Sequence, residues 1–307
     1  MEISGKPRIV IWFVSTNGRY IGDAVNILEQ QHNGVIIGIT ATQKISIINE
    51  SGPIFPYISL QELTQNGGGY DIILVAGAKN IGMSEVAKFA RAIKLDTSKL
   101  LGDWIVCIPG FTLKKYQQLQ RSKLSIFAQN CFGGYISNTL GLLFRSPFVN
   151  LWLAADDFLR FLQNPRIYIE GTPIFEKLRD KSNEAPNGYP VVSLGNIYLN
   201  MMHYPNADNA LKKWNERKQR INWYNILVEM STESKEILEQ FDELPFSKKV
   251  CFVPFKSDLN SAFYMNPHLQ KERTLGLETL RYARAEFPYY DMFDMLLYGK
   301  KTPLIEM

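Results

Sequence analysis

Short, unbroken apolar runs alternate with amphipathic stretches through the first third of the chain, and few folds accept that pattern. Arg8 to Val14 is apolar almost throughout. A strand with one wet face would alternate, so this run reads as a strand buried on both faces. A polar turn, Ser15 to Gly22, leads into a helical pattern through Ala24, Ile27, Leu28 and Gln31. Val35 to Ile39, Asp71 to Ala76 and Trp104 to Ile108 read as further strands, and Ser84 to Ile93 as a helix. Tyr57 to Ser59 reads as a short strand whose Ser59 caps the next helix, with Glu62 completing a capping box. Gly67 to Gly69 is a flexible turn. Parallel strands need crossover connections, so alternation of this kind predicts α/β architecture with a doubly wound parallel sheet.

At 307 residues the chain has room for two domains. Its 46% apolar and 21% charged content belongs to a packed protein, and a net charge of +4 gives no general attraction to nucleic acid. No run approaches the roughly 18 apolar residues of a membrane span, and Met1 to Arg8 holds no signal-type stretch. Three cysteines without framework spacing fit a reducing cytoplasm. Cys107 and Cys251 lie in apolar runs and are expected in the core. Cys131 lies in a turn.

The second half repeats the βα theme. Leu113 to Arg121 reads as a polar linking helix, placing the domain boundary near residues 120 and 121. Leu124 to Ala128 is a strand, Asn130 to Gly134 a turn, and Tyr135 to Leu143 a helix. Pro147 forces a turn at Arg145 to Asn150. Trp152 to Leu162 is an amphipathic helix with Asp156 and Asp157 in its first turn; these are either favourable charges at a helix start or a source of a catalytic carboxylate. The polar stretch Lys177 to Pro190 reads as a surface loop or lid. Asn196 to Tyr204 alternates as a strand and ends at His203, and Asn206 caps a helix to about Arg220. Asn225 to Met230 and Lys249 to Pro254 are strands around a helix starting at Ser231 or Thr232, and the tail, Glu278 to Arg284 and Tyr289 to Leu297, is helical. The tail's aromatics fit packing against a domain face better than sugar binding.

Ligands of open α/β sheets bind beyond the carboxyl ends of the strands. Cys131 and His203 both follow strands, so they can meet at one edge of one sheet. Within hydrogen-bond reach they would form an activated nucleophile, helped by a helix start that favours the thiolate. The plainer alternative is a packed thiol and a histidine satisfying carbonyls. Asn130, Gly133 and Gly134 offer an oxyanion or phosphate cradle. Lys213, Arg217 and Arg220 recur at helical spacing beside an apolar stripe; they are either a solvated face or a grip on an anionic substrate. Three scattered histidines and three cysteines show no metal-ligand spacing. The first strand-to-helix turn has Gly18 and Gly22 only, and no acidic residue ends the second strand, so a dinucleotide fingerprint is not met and no cofactor is named.

Two resemblances follow from these residues. Trp12 at a strand end and the strand Asp71 to Ala76 make the first half similar to the small Rossmann-like domain, related to sugar-nucleotide epimerases, that accompanies many polysaccharide-biosynthesis enzymes. In the second half, Asn130-Cys131-Phe132-Gly133-Gly134-Tyr135, Ser146-Pro147-Phe148, Asp157-Phe158, Tyr189-Pro190-Val191, His203-Tyr204 and Trp214, Arg217, Arg220-Ile221-Asn222 recur in order, followed by Phe241-Asp242 and Leu244-Pro245-Phe246. That set resembles bacterial exopolysaccharide or capsular polysaccharide biosynthesis proteins. The resemblance implies a cytoplasmic protein of surface-polysaccharide assembly with a small-molecule or glycan substrate. It is expected either as a transferase, with Cys131, His203 and Asp157 as catalytic candidates and Asn130, Gly133, Gly134, Ser146, Lys213, Arg217 and Arg220 binding substrate, or as a sugar-nucleotide or glycan-binding protein without turnover. A dinucleotide-dependent oxidoreductase is the third expectation.

Overall fold

The computed structural model describes residues 5–15, 18–42, 55–65, 69–180, 187–265 and 274–306. It is α/β and divides into two units, Met1–Lys114 with Asn138–Gly141, and Lys115–Ser137 with Leu142–Met307. The division falls at Lys114, so the helix expected to close the first domain belongs mostly to the second unit.

In the first unit the chain forms β1 (Arg8–Phe13), α1 (Ile21–His32), β2 (Val35–Ala41), α2 (Leu60–Gln65), β3 (Ile72–Ala76), α3 (Met83–Ala92), β4 (Leu100–Gly102) and α4 (Asp103–Val106). All pairings are parallel, in the order β2-β1-β3-β4. The chain steps from β1 out to β2, then returns past β1 to β3 and β4. Right-handed crossovers then put α1 on one face and α2 and α3 on the other, which is double winding. The apolar runs of β1 and β3 are buried, as their lack of alternation requires. Ser59 and Glu62 form the expected capping box: the Ser59 backbone N–H donates to Glu62 Oε2 at 2.7 Å, and the Glu62 N–H to Ser59 Oγ at 3.2 Å. Most of the expected Gly67 to Gly69 turn lies outside the described residues.

The expected strand Trp104 to Ile108 begins instead in the short helix α4, and the strand is β4, which starts four residues earlier at Leu100. A short apolar run does not distinguish a buried strand from a buried helix. Asp103 decides it here. Its buried carboxylate accepts N–H bonds from Trp104 and Gly77, turning the chain after Gly102. A Cβ on Gly102 would lie 2.7 Å from the Trp104 ring, so the indole folds back only because residue 102 is glycine. Burial pushes the Asp103 carboxyl up despite these donors. Cys107 lies just past α4, half-buried, facing the carbonyls of Tyr20 and Asp103, and burial with nearby Asp23 and Asp103 raises its thiol to about 11.

The second unit contains α5 (Leu113–Arg121), β5 (Ser125–Ala128), α6 (Phe132–Thr139), α7 (Ala155–Gln163), α8 (Pro165–Glu170), β6 (Ile174–Arg179), β7 (Tyr189–Leu194), β8 (Ile197–Asn200), α9 (Ala207–Lys218), β9 (Ile226–Ser231), α10 (Lys235–Asp242), β10 (Lys249–Val253), β11 (Ala262–Tyr264), α11 (Leu275–Ala283) and α12 (Met292–Tyr298). Four parallel strands form one sheet in the order β11-β10-β9-β5, and β6-β7-β8 form a separate antiparallel sheet inserted between β5 and β9.

The register sets the two faces of the parallel sheet. Phe127, Val228, Met230, Cys251 and Val253 point into the main core with Phe158, Phe161, Trp214 and Phe241 of α7, α9 and α10, and with Val192 and Leu199 of the antiparallel sheet. Ala128, Glu229 and Val250 share the opposite face. There Phe132 of α6 and Tyr282 of α11 pack on Phe252, at ring separations of 5.4 and 5.8 Å. Tyr289, Tyr290 and Phe293 in the tail are buried in packing.

Three more expectations change. Lys177 to Pro190 is not all loop: its ends belong to β6 and β7, and 181–186 lie outside the described residues. Every residue of β6 is exposed, so burial imposed no apolar alternation on it. The strand before His203 stops at Asn200, and it lies in the antiparallel sheet, not beside β5. Helix α10 starts after Ser234, whose side chain caps it, because Ser231 is still pairing in β9. Among the described residues no helix is long and apolar enough to cross a membrane.

Candidate active site

Strand β5 ends at Ala128, and the polar residues that follow stand at its carboxyl end. The Asn130 carboxamide accepts the Phe132 N–H at 2.8 Å, closing the turn that starts α6, and its Nδ2 donates to Ser231 Oγ, at the end of β9, at 3.5 Å. Cys131 is thereby held at the start of α6. It is 8% exposed, with Sγ 4.0 Å from the Leu151 carbonyl. The Leu153 N–H donates to the Gln129 carbonyl at 2.9 Å, tying the 151–153 segment to the same turn.

His203 reaches this place by another route. Trp152 and Asn200 exchange backbone hydrogen bonds, both at 3.0 Å, as an extra rung beyond β8. The chain then turns at Met202, and the His203 N–H donates to the Asn150 carbonyl at 3.3 Å. Cys131, His203 and Asn130 therefore line one cleft of about 720 Å³. Its remaining wall includes Tyr135, Trp152, Arg179, Asp180 and Tyr189, closed on one side by Leu277 and Leu280 of α11. Arg179, the last residue of β6, donates to Tyr189 Oη and Asn200 Oδ1, each at 3.4 Å, and lies 6.0 Å from the Trp152 ring centroid. Arg284 covers the Tyr135 ring at 4.6 Å.

The other expected site residues lie elsewhere. Gly133 and Gly134 are inside α6 rather than in a cradle loop. A Cβ on Gly133 would sit 3.3 Å from the Ala128 and Ile126 side chains, and one on Gly134 would sit 3.2 Å from Val149. Both glycines thus allow close packing of α6. Ser146 is buried and accepts the Phe148 N–H at 3.1 Å, closing a turn around Pro147. Asp157 accepts from Arg160 Nη1 at 2.8 Å and from the Tyr198 N–H at 3.1 Å, and it lines a neighbouring cleft.

Lys213 and Arg217 of α9, and Arg220 two residues past its end, are absent from the Cys131 cleft wall. Lys213 pairs with Glu216 at 2.9 Å. Arg217 donates to Tyr204 Oη at 2.5 Å and lies over the Phe144 ring. Arg220 is half-buried near Glu216. Tyr204 in turn donates to the Val149 carbonyl at 2.8 Å; burial raises its phenol, against the pull of Arg217, and the neighbouring Cys131 adds to the rise. The Arg217–Tyr204 pair thus braces the 149–151 segment behind Cys131 without facing the cleft.

Residues of the cleft wall that sequence reasoning missed include Tyr135, Trp152, Arg179, Asp180 and Tyr189. Trp152 begins a run whose pattern predicts a helix, and Arg179 and Asp180 lie in a stretch whose polarity predicts a loop. Tyr135 and Tyr189 carried a signal, as members of the recurring motif set.

An uncharacterized protein of Haemophilus influenzae is 32% identical over 184 residues, covering 58% of this chain and 84% of the relative. The family described as a domain of unknown function, DUF1919, matches residues 106–299, nearly the whole second unit, and both Cys131 and His203 fall inside that match. The chain belongs to the DUF1919 family.

Proposed function

We propose that this protein is an enzyme of surface-polysaccharide assembly, a transferase that acts in the cytoplasm on a sugar nucleotide or glycan. One observation supports this above the others: a thiol, an imidazole, a guanidinium and three aromatic rings line one cleft at the carboxyl end of a parallel strand. Tyr135, Trp152 and Tyr189 offer ring faces for the C–H faces of a sugar. Arg179 suits a phosphate or carboxylate, since its hydrogen bonds among the described residues go to the neutral partners Tyr189 and Asn200. Cys131 supplies a nucleophile and His203 a base.

A thermal-shift screen against nucleoside-diphosphate sugars tests the substrate class. A ligand at about 100 times its Kd stabilises by about 2.7 kcal/mol. No shift with any sugar nucleotide removes that substrate class.

The burial of Cys131 and its place against the Leu151 carbonyl favour a second reading, a sugar-nucleotide or glycan-binding protein without turnover. Cys131→Ser separates the two. Turnover collapses with ligand affinity kept if the thiol reacts; under the binding reading affinity survives and no turnover is found in either form.

A further inference from the structure

A second cleft, of about 430 Å³, adjoins the first. Trp152 and Arg179 belong to the walls of both. The second cleft continues past them to Asp157, Glu176, Lys177 and Tyr198. The register of the antiparallel sheet explains why. Arg179 pairs with Tyr189, Val191 with Asn200, and Ser193 with Tyr198, so these residues share the face turned away from the core, while Val192 and Leu199 face inward. One sheet face thus carries a continuous surface from the Cys131 cleft, across Trp152 and Arg179, to Tyr198.

The chemistry of this surface narrows its occupant. Tyr198 is 53% exposed, a broad ring face beside carboxylate and amide groups. Asp157 already accepts two hydrogen bonds, yet an ionised carboxylate has about four acceptor sites. Glu176 accepts from Ser193 Oγ at 2.5 Å, again with capacity left. Lys177 and Arg179 are donors. Ring faces interleaved with both donors and acceptors suit a chain of hydroxyl-bearing rings. The carboxylates oppose a polyanionic nucleic acid, and a compact ligand would have no use for the second cleft.

We propose that the two clefts are adjacent subsites for a glycan of at least two sugar residues, one sugar in the Cys131 cleft and the next beside Asp157 and Tyr198. The proposal rests on reading the first cleft as a sugar site and names its substrate as an oligosaccharide chain.

Calorimetric titration of the full chain tests it with two series, glucose to cellotetraose and glucuronate to hyaluronan tetrasaccharide. In the series that fits, affinity rises about tenfold between one residue and two or more, the effect of an added stacking and hydrogen-bonding subsite. Tyr198→Ala abolishes that gain and leaves monosaccharide affinity unchanged, and Tyr198→Phe keeps it. Equal affinity for short and long members overturns the second subsite and leaves the first-cleft reading standing. Tyr198→Ala weakening monosaccharide and tetrasaccharide alike also overturns it. No binding by any member overturns both.

Discussion

Glu229 offers the sharpest test of the second unit's packing. It lies on the third strand of a four-stranded sheet, flanked by Ala128 and Val250, on the face covered by α6 and α11. The residue is 0% exposed, and neither carboxyl oxygen has a hydrogen-bond partner among the described residues. Burial holds its acidity well above the ordinary carboxylate value of 4.5. The folded protein therefore keeps a proton that the unfolded chain releases. Stability is greatest below the ordinary value and falls as pH rises toward the folded one, by at most about 1.4 kcal/mol per pH unit for this single proton. Glu229→Gln removes the titration at nearly constant volume. Glu229→Met also removes the unmet hydrogen-bonding need, which costs about 1–3 kcal/mol in a buried site. Urea unfolding of the three forms between pH 5 and 8 reads both effects. The wild type should lose stability relative to Glu229→Gln as pH rises. Glu229→Met should be more stable than Glu229→Gln by about 1–3 kcal/mol at every pH, or roughly 2–4 °C per kcal/mol for a unit of this size, and more stable than the wild type at neutral pH by that amount plus the proton penalty. A difference between wild type and Glu229→Gln that does not change with pH would refute the reasoning, as would a Glu229→Met variant less stable than the wild type.

Lys248 tests burial of the opposite charge. Its ammonium donates to the Asn225 side chain and to the Leu296 carbonyl near the end of α12, and burial lowers it to about 8. The unfolded chain then holds the extra proton between about 8 and 10.5, so stability should rise across that range, and Lys248→Met should abolish the rise in a pH series of melting curves. Gly133→Val, which crowds Ala128 and Ile126, should cost about 1–3 kcal/mol in denaturant unfolding; an unchanged midpoint would mean that α6 does not depend on close approach to β5. Arg217→Met removes the charged donor to Tyr204 Oη, whose own O–H still reaches the Val149 carbonyl, and the lost charge-assisted bond should cost about 1.5–3 kcal/mol while leaving ligand affinity intact. A selective loss of binding would instead restore Arg217 to the substrate-binding set.

Local sequence was informative wherever burial imposed a period or a cap imposed a residue type. The runs that became β1, β3, β5, β9 and β10 were legible because strands buried on both faces are mostly apolar without alternation, Glu229 in β9 being the buried exception. The Asn206 cap of α9 and the Ser59–Glu62 box were legible because orphan N–H groups at a helix start need a nearby acceptor. Cys131, Asn130 and His203 stood out as polar residues placed after strands. The α4 run misled because Asp103 turns the chain through bonds to Trp104 and to Gly77, one of them 26 residues away in sequence.

The chain order and apolar patterning alone settled that this protein is α/β with parallel strands, because only crossover connections satisfy them. Tertiary structure alone decided what the cleft contains. Cys131 and His203 come from different sheets, and the Trp152–Asn200 rung helps bring them to one cavity. Arg179 enters the wall through an edge strand whose side chains are all exposed, and the basic stripe of α9 is directed to Glu216 and Tyr204. Exposed strands and long-range pairings leave no period in the sequence, since no nearby residue pays their burial and hydrogen-bond energies.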